Sequence, residues 1–113
     1  MWPFSRRAHA PAYTNIEPQE AHRRVEKGAV LVDVRQPSEL NALRIREAVN
    51  VPLAELETYA AGLDSTTPVM LICASGHRSR KAAKRLADLG FIDLSNVRGG
   101  VNAWRRAGLP LER

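Results

Sequence analysis

The sequence predicts an α/β domain with a mainly parallel sheet. Its 113 residues suffice for one hydrophobic core, and 44% of them are apolar and 26% charged, as in ordinary globular domains. Short apolar runs alternate with segments whose apolar residues recur at helical spacing. Because this alternation is typical of βα units, we expect parallel strands covered by helices. Residues 1–13, with two prolines and two arginines, are expected to form a loosely ordered arm ahead of a single domain over residues 14–113.

The first half of the chain predicts a helix, two strands and a short element between the strands. Pro18 suits the first turn of a helix that ends before Gly28. The apolar run Ala29–Val32 predicts a buried strand. A short turn or helix is expected over Gln36–Glu39, and a second strand over Ala48–Val51.

The second half predicts two strands and three helices. Leucines and alanines at helical spacing predict a helix over Leu53–Leu63. Pro68–Ile72 is the most strongly apolar run and predicts a buried strand, which a helix over Ser79–Leu89 follows. After a short strand over Leu94–Val97, a glycine pair makes a turn into a last helix over Val101–Ala107.

Charge and hydropathy limit the partners of the chain. The formal net charge of +5 favours anionic partners. Aromatic residues make up 5% of the chain and do not interleave with a basic run, so we expect a solvated basic surface rather than a nucleic-acid site. No run approaches the roughly 18 apolar residues of a membrane helix, and the start of the chain lacks a secretory apolar segment. We therefore expect a cytoplasmic protein with no membrane partner.

The chain contains one cysteine, Cys73. A single cysteine excludes an internal disulfide and any site built from several cysteines. The three histidines, His9, His22 and His77, show no ligand spacing, so we expect no metal. The thiol is therefore either an inert core residue or a reactive one, and its context must decide.

Cys73 lies between the predicted strand Pro68–Ile72 and the predicted helix that begins near Ser79. In open α/β sheets, ligands bind at this carboxyl edge. The free N–H groups and the dipole of a helix start stabilise a thiolate, so the pKa of the cysteine should fall. Gly76 gives the loop the freedom to turn several N–H groups toward one sulfur, which would make an anion nest. The sequence therefore favours a reactive cysteine.

The side chains of this loop have different expected roles. Arg78, with help from Arg80 or Lys81, is expected to attract and orient an anionic donor, because convergent donors around a nucleophile indicate a binding site. His77 is expected to have no proton role, since a nest that already lowers the thiol pKa needs no base. Ser79 is expected to cap the helix, and the role of Ser75 is left open.

Four segments in the right order resemble the rhodanese family. The loop Cys73–Ser79 resembles its C-x-x-G-x-R-S signature, and Leu31–Arg35 resembles its L-[IV]-D-V-R strand end. Ala48–Pro52 resembles G-A-x-N-[IV]-P, and Val97–Pro110 carries both G-G-x-x-x-W and G-[LY]-P. The resemblance spans Thr14 to Pro110, nearly the whole chain outside the arm.

The resemblance implies a three-layer fold with a five-stranded, mainly parallel sheet flanked by helices. It also implies a sulfurtransferase that moves a sulfane sulfur from thiosulfate or a similar donor to a thiol or cyanide, with a sulfur-relay protein as one candidate acceptor. Cys73 would carry the sulfur as a covalent persulfide, without a cofactor. The rest of the loop would bind the anions, and it comprises Ala74, Ser75, Gly76, His77, Arg78 and Ser79.

The resemblance also assigns structural roles and shows one departure. Asp33 and Arg35 are expected to support the active-site edge as an ion pair at a strand end, and Glu39 is a candidate partner for Arg35. Trp104 is expected to be a core aromatic. Over Leu43–Ala48 the chain lacks the glycines and the histidine of the family's G-H-I-x-G-A, and it carries two arginines instead. We expect this change to alter the partner surface rather than the activity.

Two other functions compete with sulfur transfer. Dual-specificity phosphatases and some arsenate reductases also pair a cysteine nest with an arginine, but five residues separate the two, whereas four separate Cys73 from Arg78. The shorter loop suits a sulfur atom better than a tetrahedral oxyanion. A non-catalytic carrier or interaction module, fed with sulfur by another protein, is the second alternative.

Overall fold

A computed structural model describes residues 11–113, and its core is one parallel sheet. The strands are β1 (Thr14–Ile16), β2 (Val30–Asp33), β3 (Val49–Asn50), β4 (Val69–Ile72) and β5 (Leu94–Val97). All five strands pair in parallel in the order β1-β5-β4-β2-β3. The predicted fold class is therefore confirmed, and β4, the most apolar strand, lies in the middle.

Helices cover both faces of the sheet. They are α1 (Pro18–Glu26), α2 (Pro37–Leu40), α3 (Leu56–Ala60), α4 (His77–Asp88) and α5 (Gly100–Arg106), and a 3₁₀ turn over Leu53–Glu55 leads into α3. Within residues 11–113 no helix combines the length and the apolar character that a bilayer crossing requires.

The alternation of side chains along the strands divides the core into two halves. In β4, Met70 and Ile72 pack with α1 and α5, where Trp104 is fully buried. Val69 and Leu71 face the other way and pack with α3 and α4. Cys73 continues this alternation on the α3 and α4 side, which places its sulfur at the end of that half of the core.

The structure contains one strand that was not predicted, and two of the predicted helices differ from it. The local sequence pattern does not predict β1, a three-residue edge strand without an apolar run. The helix expected over Leu53–Leu63 is a 3₁₀ turn followed by the five residues of α3. α4 begins at His77 rather than Ser79, because Gly76 adopts the left-handed conformation and lets the helix start directly after it.

The predicted N-terminal arm lies mostly outside the described residues. Of residues 1–13, the structure describes 11–13, which precede β1. The division into an arm and a domain therefore stays a prediction.

Candidate active site

The candidate site is the turn between β4 and α4, at the carboxyl edge of the sheet. Cys73 follows the last residue of β4, and α4 begins four residues later at His77. Gly76 connects them and has a φ of 105°, a left-handed backbone conformation that residues other than glycine rarely adopt. The structure thus places the cysteine at the predicted position, between the central strand and a helix start.

The sulfur of Cys73 is buried but has polar partners. The residue is 1% exposed, the N–H of Gly76 donates to Sγ at 3.0 Å, and Ser79 Oγ lies 3.4 Å from Sγ. Burial raises the pKa of the thiol, but hydrogen bonds from the Ser79 hydroxyl and from the N–H groups of Ser79, Gly76 and Ser75 lower it further than burial raises it. The net pKa is below that of an ordinary cysteine, which favours the nucleophilic thiolate.

Ser79 is a hydrogen-bond partner of the Cys73 sulfur rather than the predicted helix cap. The cap position belongs to Gly76, and Ser79 is fully buried inside the first turn of α4. Its hydroxyl lies 2.5 Å from Oδ1 of Asn96, whose amide nitrogen donates to Asn15 Oδ1. The cap prediction was wrong because sequence position alone does not show that this hydroxyl points into the sheet edge.

One proton must serve both neighbours of the Ser79 hydroxyl. A serine O–H donates once, either to Cys73 Sγ or to Asn96 Oδ1. If the side-chain amides of Asn96 and Asn15 both turn over, Asn96 donates to Ser79 Oγ and the hydroxyl proton is free for the sulfur. The hydrogen-bonded row that runs from the exposed Asn15 through the buried Asn96 to Ser79 can therefore support an anionic sulfur from behind.

The start of α5 fixes the orientation of the cysteine loop. The N–H groups of Val101 and Asn102 donate to the carbonyl oxygens of Cys73 and Ala74, at 2.8 and 3.1 Å. With these carbonyls bound to α5, the loop N–H groups that follow are free to turn toward the sulfur. Gly100 makes this contact possible, because a Cβ there would collide with the Cys73 and Ala74 carbonyl groups. The sequence predicted the glycine pair only as a turn and gave no sign of this contact.

Arg78 and Glu39 form an ion pair beside the loop. Two nitrogens of the guanidinium bind the two carboxylate oxygens, at 2.7 and 2.9 Å. The hydrogen bond from Arg78 lowers the pKa of Glu39 from its ordinary value to about 2. Burial raises the same pKa, but by less. Glu39 also accepts the backbone N–H of Gln36, which fixes it at the start of α2. The carboxylate therefore stays charged at neutral pH.

The expected pairing of Glu39 with Arg35 was wrong. Arg35 instead binds both oxygens of Asp33, at 2.9 to 3.1 Å, and the carbonyl of Leu43. Asp33 and Arg35 are 1% and 5% exposed, so the ion pair at the strand end is confirmed as a buried one. Arg35 lies two residues from Asp33 and reaches it along the end of β2, while Glu39 turns the other way toward Arg78.

The remaining residues of the cysteine loop differ in exposure. Ala74 is half-buried, and Ser75 and His77 are exposed. Nδ1 of His77 lies 2.6 Å from Nη2 of Arg80 rather than near the sulfur. The predicted absence of a proton role for His77, like the other loop assignments, stays a prediction about chemistry.

The segment that departs from the family pattern lies against the end of the chain. Arg44 pairs in an antiparallel bridge with Glu112, and the guanidinium groups of Arg44 and Arg46 lie 2.9 and 3.1 Å from its carboxylate. The two added arginines thus share one carboxylate within the chain. Among residues 11–113 no three histidine, cysteine, aspartate or glutamate side chains come together as metal ligands.

Known proteins are similar to this chain over most of its length. A family model described as Rhodanese-like domain matches residues 17–107. A thiosulfate sulfurtransferase GlpE of Pseudomonas fluorescens is 34% identical over 93 residues, which cover 82% of this chain and 85% of that protein.

Two solved structures are similar to this chain, and they are described differently. The crystal structure of a rhodanese-related protein from Thermoplasma volcanium superposes with a TM-score of 0.79 at 31% identity, covering 88% of this chain and 98% of that one. A Rhodopseudomonas palustris protein of unknown function, described as a possible tyrosine phosphatase, gives 0.80 at 26% identity and covers 89% and 86% of the two chains.

Proposed function

Because this chain belongs to the rhodanese-like domain family, and is a sulfurtransferase of the rhodanese type, we propose that it transfers sulfur from thiosulfate through a persulfide on Cys73. The observation that carries the proposal is the environment of Sγ, a buried sulfur with N–H and O–H donors at 3.0 and 3.4 Å. Burial alone would keep the thiol protonated, whereas these donors favour an anion.

In the first step the Cys73 thiolate attacks the outer sulfur of thiosulfate. A bond forms between Sγ and that sulfur, and the sulfur–sulfur bond of thiosulfate breaks. Its electron pair leaves with sulfite, and Cys73 keeps an anionic persulfide. Total charge is conserved, and the step needs neither a cofactor nor an oxidant.

In the second step an acceptor removes the outer sulfur. A thiolate, or cyanide, attacks that sulfur, and the electron pair of the persulfide bond returns to Sγ. The products are an acceptor persulfide, or thiocyanate, and the original Cys73 thiolate. The N–H groups of Ser75, Gly76 and Ser79 lie around the charge that Sγ carries before the first step and regains after the second.

Arg78 is the residue that binds the donor in this proposal. Its side chain is 36% exposed and forms an ion pair with a carboxylate. A thiosulfate dianion offers the same planar guanidinium two oxygen acceptors, so it competes with Glu39 for Arg78. Donor binding is thus an exchange of one anion for another at a fixed cation.

The same ion pair favours a second candidate, a carrier loaded by a protein donor. While Glu39 holds Arg78, the charge of this loop cation is neutralised, which would weaken the binding of a small free anion. A protein donor would bring its persulfide to Cys73 through other contacts. Thiosulfate would then load the sulfur poorly.

Intact mass spectrometry distinguishes the two candidates. The reduced protein is incubated with thiosulfate, freed of excess reagent and weighed, with Cys73→Ala as the matched control. The proposal predicts a gain of one sulfur atom in the parent and none in the variant. No gain in the parent would overturn direct loading in favour of the protein-fed carrier.

The possible phosphatase activity of the Rhodopseudomonas palustris relative defines a separate test. Incubation with an aryl phosphate should release no phosphate, because the loop of four residues between Cys73 and Arg78 makes a small cradle. Hydrolysis that is lost in Cys73→Ser would contradict the proposal. The cytoplasmic location and the absence of a cofactor stay predictions from the sequence.

A further inference from the structure

Basic side chains follow one face of α4 away from the cysteine loop. His77, Arg80, Lys81 and Lys84 occupy positions i, i+3, i+4 and i+7, which share one side of a helix. Lys81 and Lys84 are exposed, and Arg80 is half-buried. Lys84 lies about 10 Å along the helix from His77, at 1.5 Å per residue. The row therefore begins at the end of the cysteine loop and extends away from it along the helix.

Contacts around Gly76 connect this row to α5. A Cβ built on Gly76 would lie 3.9 Å from the guanidinium of Arg80 and 3.6 Å from the backbone nitrogen of Gly99. A Cβ built on Gly99 would lie 3.8 Å from the guanidinium of Arg106, which is exposed. We name Arg80, Lys81, Lys84 and Arg106 the basic face. Through Arg80 it borders the cysteine loop at Gly76.

The basic face lacks acidic partners within the described part of the chain. None of its four residues forms an ion pair among residues 11–113, and residues 1–10 contain no aspartate or glutamate. By contrast, Arg78 and Arg85 of the same helix are each paired with a glutamate. Arg80 and Lys81 also lie in the first turns of α4, where cations oppose the helix dipole. Such uncompensated charge beside a reactive group indicates an anionic partner.

We propose that the basic face docks an acidic polypeptide segment that carries the acceptor thiol. This inference rests on the proposed function, because the thiol must reach the outer sulfur of a Cys73 persulfide. A cation row that starts at the loop would hold acidic residues beside the acceptor cysteine while its thiolate attacks. The sulfur–sulfur bond of the Cys73 persulfide then breaks, and its electron pair returns to Sγ. The acceptor leaves as a persulfide, and the transfer needs no oxidant or reductant.

The structure favours a polypeptide over a nucleic acid. Binding of single-stranded nucleic acid combines cations with aromatic side chains on which bases stack. α4 contains no tryptophan, tyrosine or phenylalanine, and Trp104 of α5 is fully buried. A flexible acidic segment needs only the exposed cations, and it delivers the thiol that sulfur transfer requires.

Three synthetic peptides test the docking. Each contains one cysteine, flanked by glutamates, by glutamines or by lysines. The protein is loaded with thiosulfate, its gain of one sulfur is checked by mass, and the rate at which each peptide removes that sulfur is followed. At low salt we expect the glutamate peptide to react about tenfold faster than the lysine peptide, and the difference should shrink at high salt.

Charge reversal on the basic face separates docking from the intrinsic reactivity of each peptide. Lys84→Glu and Arg106→Glu should slow the glutamate peptide by about threefold each and speed the lysine peptide, each variant being loaded to one sulfur with saturating thiosulfate beforehand. Lys27→Glu is the matched control, since it makes the same change of charge at the end of α1, on an exposed residue away from the loop. Because each peptide is compared across variants, its own thiol reactivity cancels.

Equal rates for the three peptides, or equal effects of Lys84→Glu and Lys27→Glu, would overturn the inference. If Lys84→Glu instead abolishes binding of a single-stranded oligonucleotide and leaves the peptide rates unchanged, the face belongs to nucleic acid and the inference is wrong. A protein that gains no sulfur from thiosulfate contradicts the donor step alone. The persulfide is then installed with inorganic polysulfide, and the same peptides are compared.

Discussion

Two arginine–carboxylate pairs lie near the carboxyl edge of the sheet, and they differ in exposure. The side chains of Asp33 and Arg35 are 1% and 6% exposed, whereas those of Glu39 and Arg78 are 33% and 36% exposed. Both arginines bind both oxygens of their carboxylate. The chemistry of the pairs is therefore the same, and their access to solvent is not.

This difference assigns the two pairs to different tasks. A buried pair cannot lose one partner without leaving an uncompensated charge, so Asp33 and Arg35 suit a permanent structural role at the end of β2. A half-exposed pair is stabilised little by its own attraction, because water screens it. Arg78 can therefore exchange Glu39 for an incoming anion, as the proposed donor step requires.

Asp33→Asn should have the largest effect, and the effect should be on stability. Removing the negative charge leaves Arg35 buried without a counterion, which costs about 3 kcal/mol of the free energy of unfolding. Urea denaturation measures the loss. Glu20→Gln, which weakens a pair on α1 with more exposed side chains, should cost much less, because water screens that pair. Equal losses in the two variants would show that burial does not distinguish these pairs.

Arg78→Ala should have the next largest effect, and the effect should be on activity. We expect kcat/KM for thiosulfate to fall by about tenfold to a hundredfold, since hydrogen bonds to a charged group contribute ~1.5–3 kcal/mol. The free energy of unfolding should change by less than about 1 kcal/mol. Arg85→Ala is the matched control, because Arg85 lies on the same helix and also pairs with a glutamate, Glu57. Similar rates for both variants would remove Arg78 from donor binding.

Ser79→Ala should reduce the reactivity of the sulfur. Without the hydroxyl, burial is less well offset and the pKa of Cys73 rises, so less thiolate is present at neutral pH. The rate of alkylation by iodoacetamide should fall by about tenfold, and its pH profile should move to higher pH. Ser65→Ala, on an exposed serine outside the site, should change neither. An unshifted profile in a folded Ser79→Ala protein would assign the hydroxyl to packing.

Glu39→Gln should have the smallest effect. The neutral side chain competes less with thiosulfate for Arg78, so the KM for the donor should fall by about threefold. A rise in KM would mean that Glu39 positions Arg78 rather than competing for it.

Acid titration tests the same pair through stability. Because the pKa of Glu39 is depressed to about 2, its contribution is complete above the unfolded pKa near 4.5 and is lost as pH falls from there toward 2. We expect that loss to be below about 1 kcal/mol in the parent and absent in Glu39→Gln. Urea unfolding at neutral and at acid pH measures it.

The sequence predicted those parts of the fold that local pattern determines. The apolar runs of β2 and β4 and the glycine-bounded α4 carry their signals within a few residues. β1 was missed because Thr14–Ile16 is a short edge strand whose pairing with β5 depends on residues about 80 positions away. The 3₁₀ turn before α3 was missed because Leu53 and Leu56 keep the same apolar spacing in either kind of helix.

The candidate site was likewise predictable only where local sequence pattern determines it. The position of Cys73 and the freedom of Gly76 follow from a strand, a loop and a helix in sequence. The partner of Glu39 does not, since Arg35 is four residues away in the chain and Arg78 is 39. Asn96 had no signal, because a polar residue inside a buried strand shows its purpose only when Ser79 is found beside it. Long-range contacts of this kind require the coordinates.

At Cys73, hydrogen bonds from the loop and from Ser79 outweigh burial, so that the pKa of the thiol lies below that of an ordinary cysteine. Because the chain has one cysteine, the ultraviolet absorbance of the thiolate followed against pH reports this sulfur directly, with Cys73→Ala as the blank. We expect a titration midpoint below that of an ordinary cysteine. A midpoint at or above the ordinary value would contradict it, because burial would then outweigh the donors and the resting sulfur would be a protonated thiol.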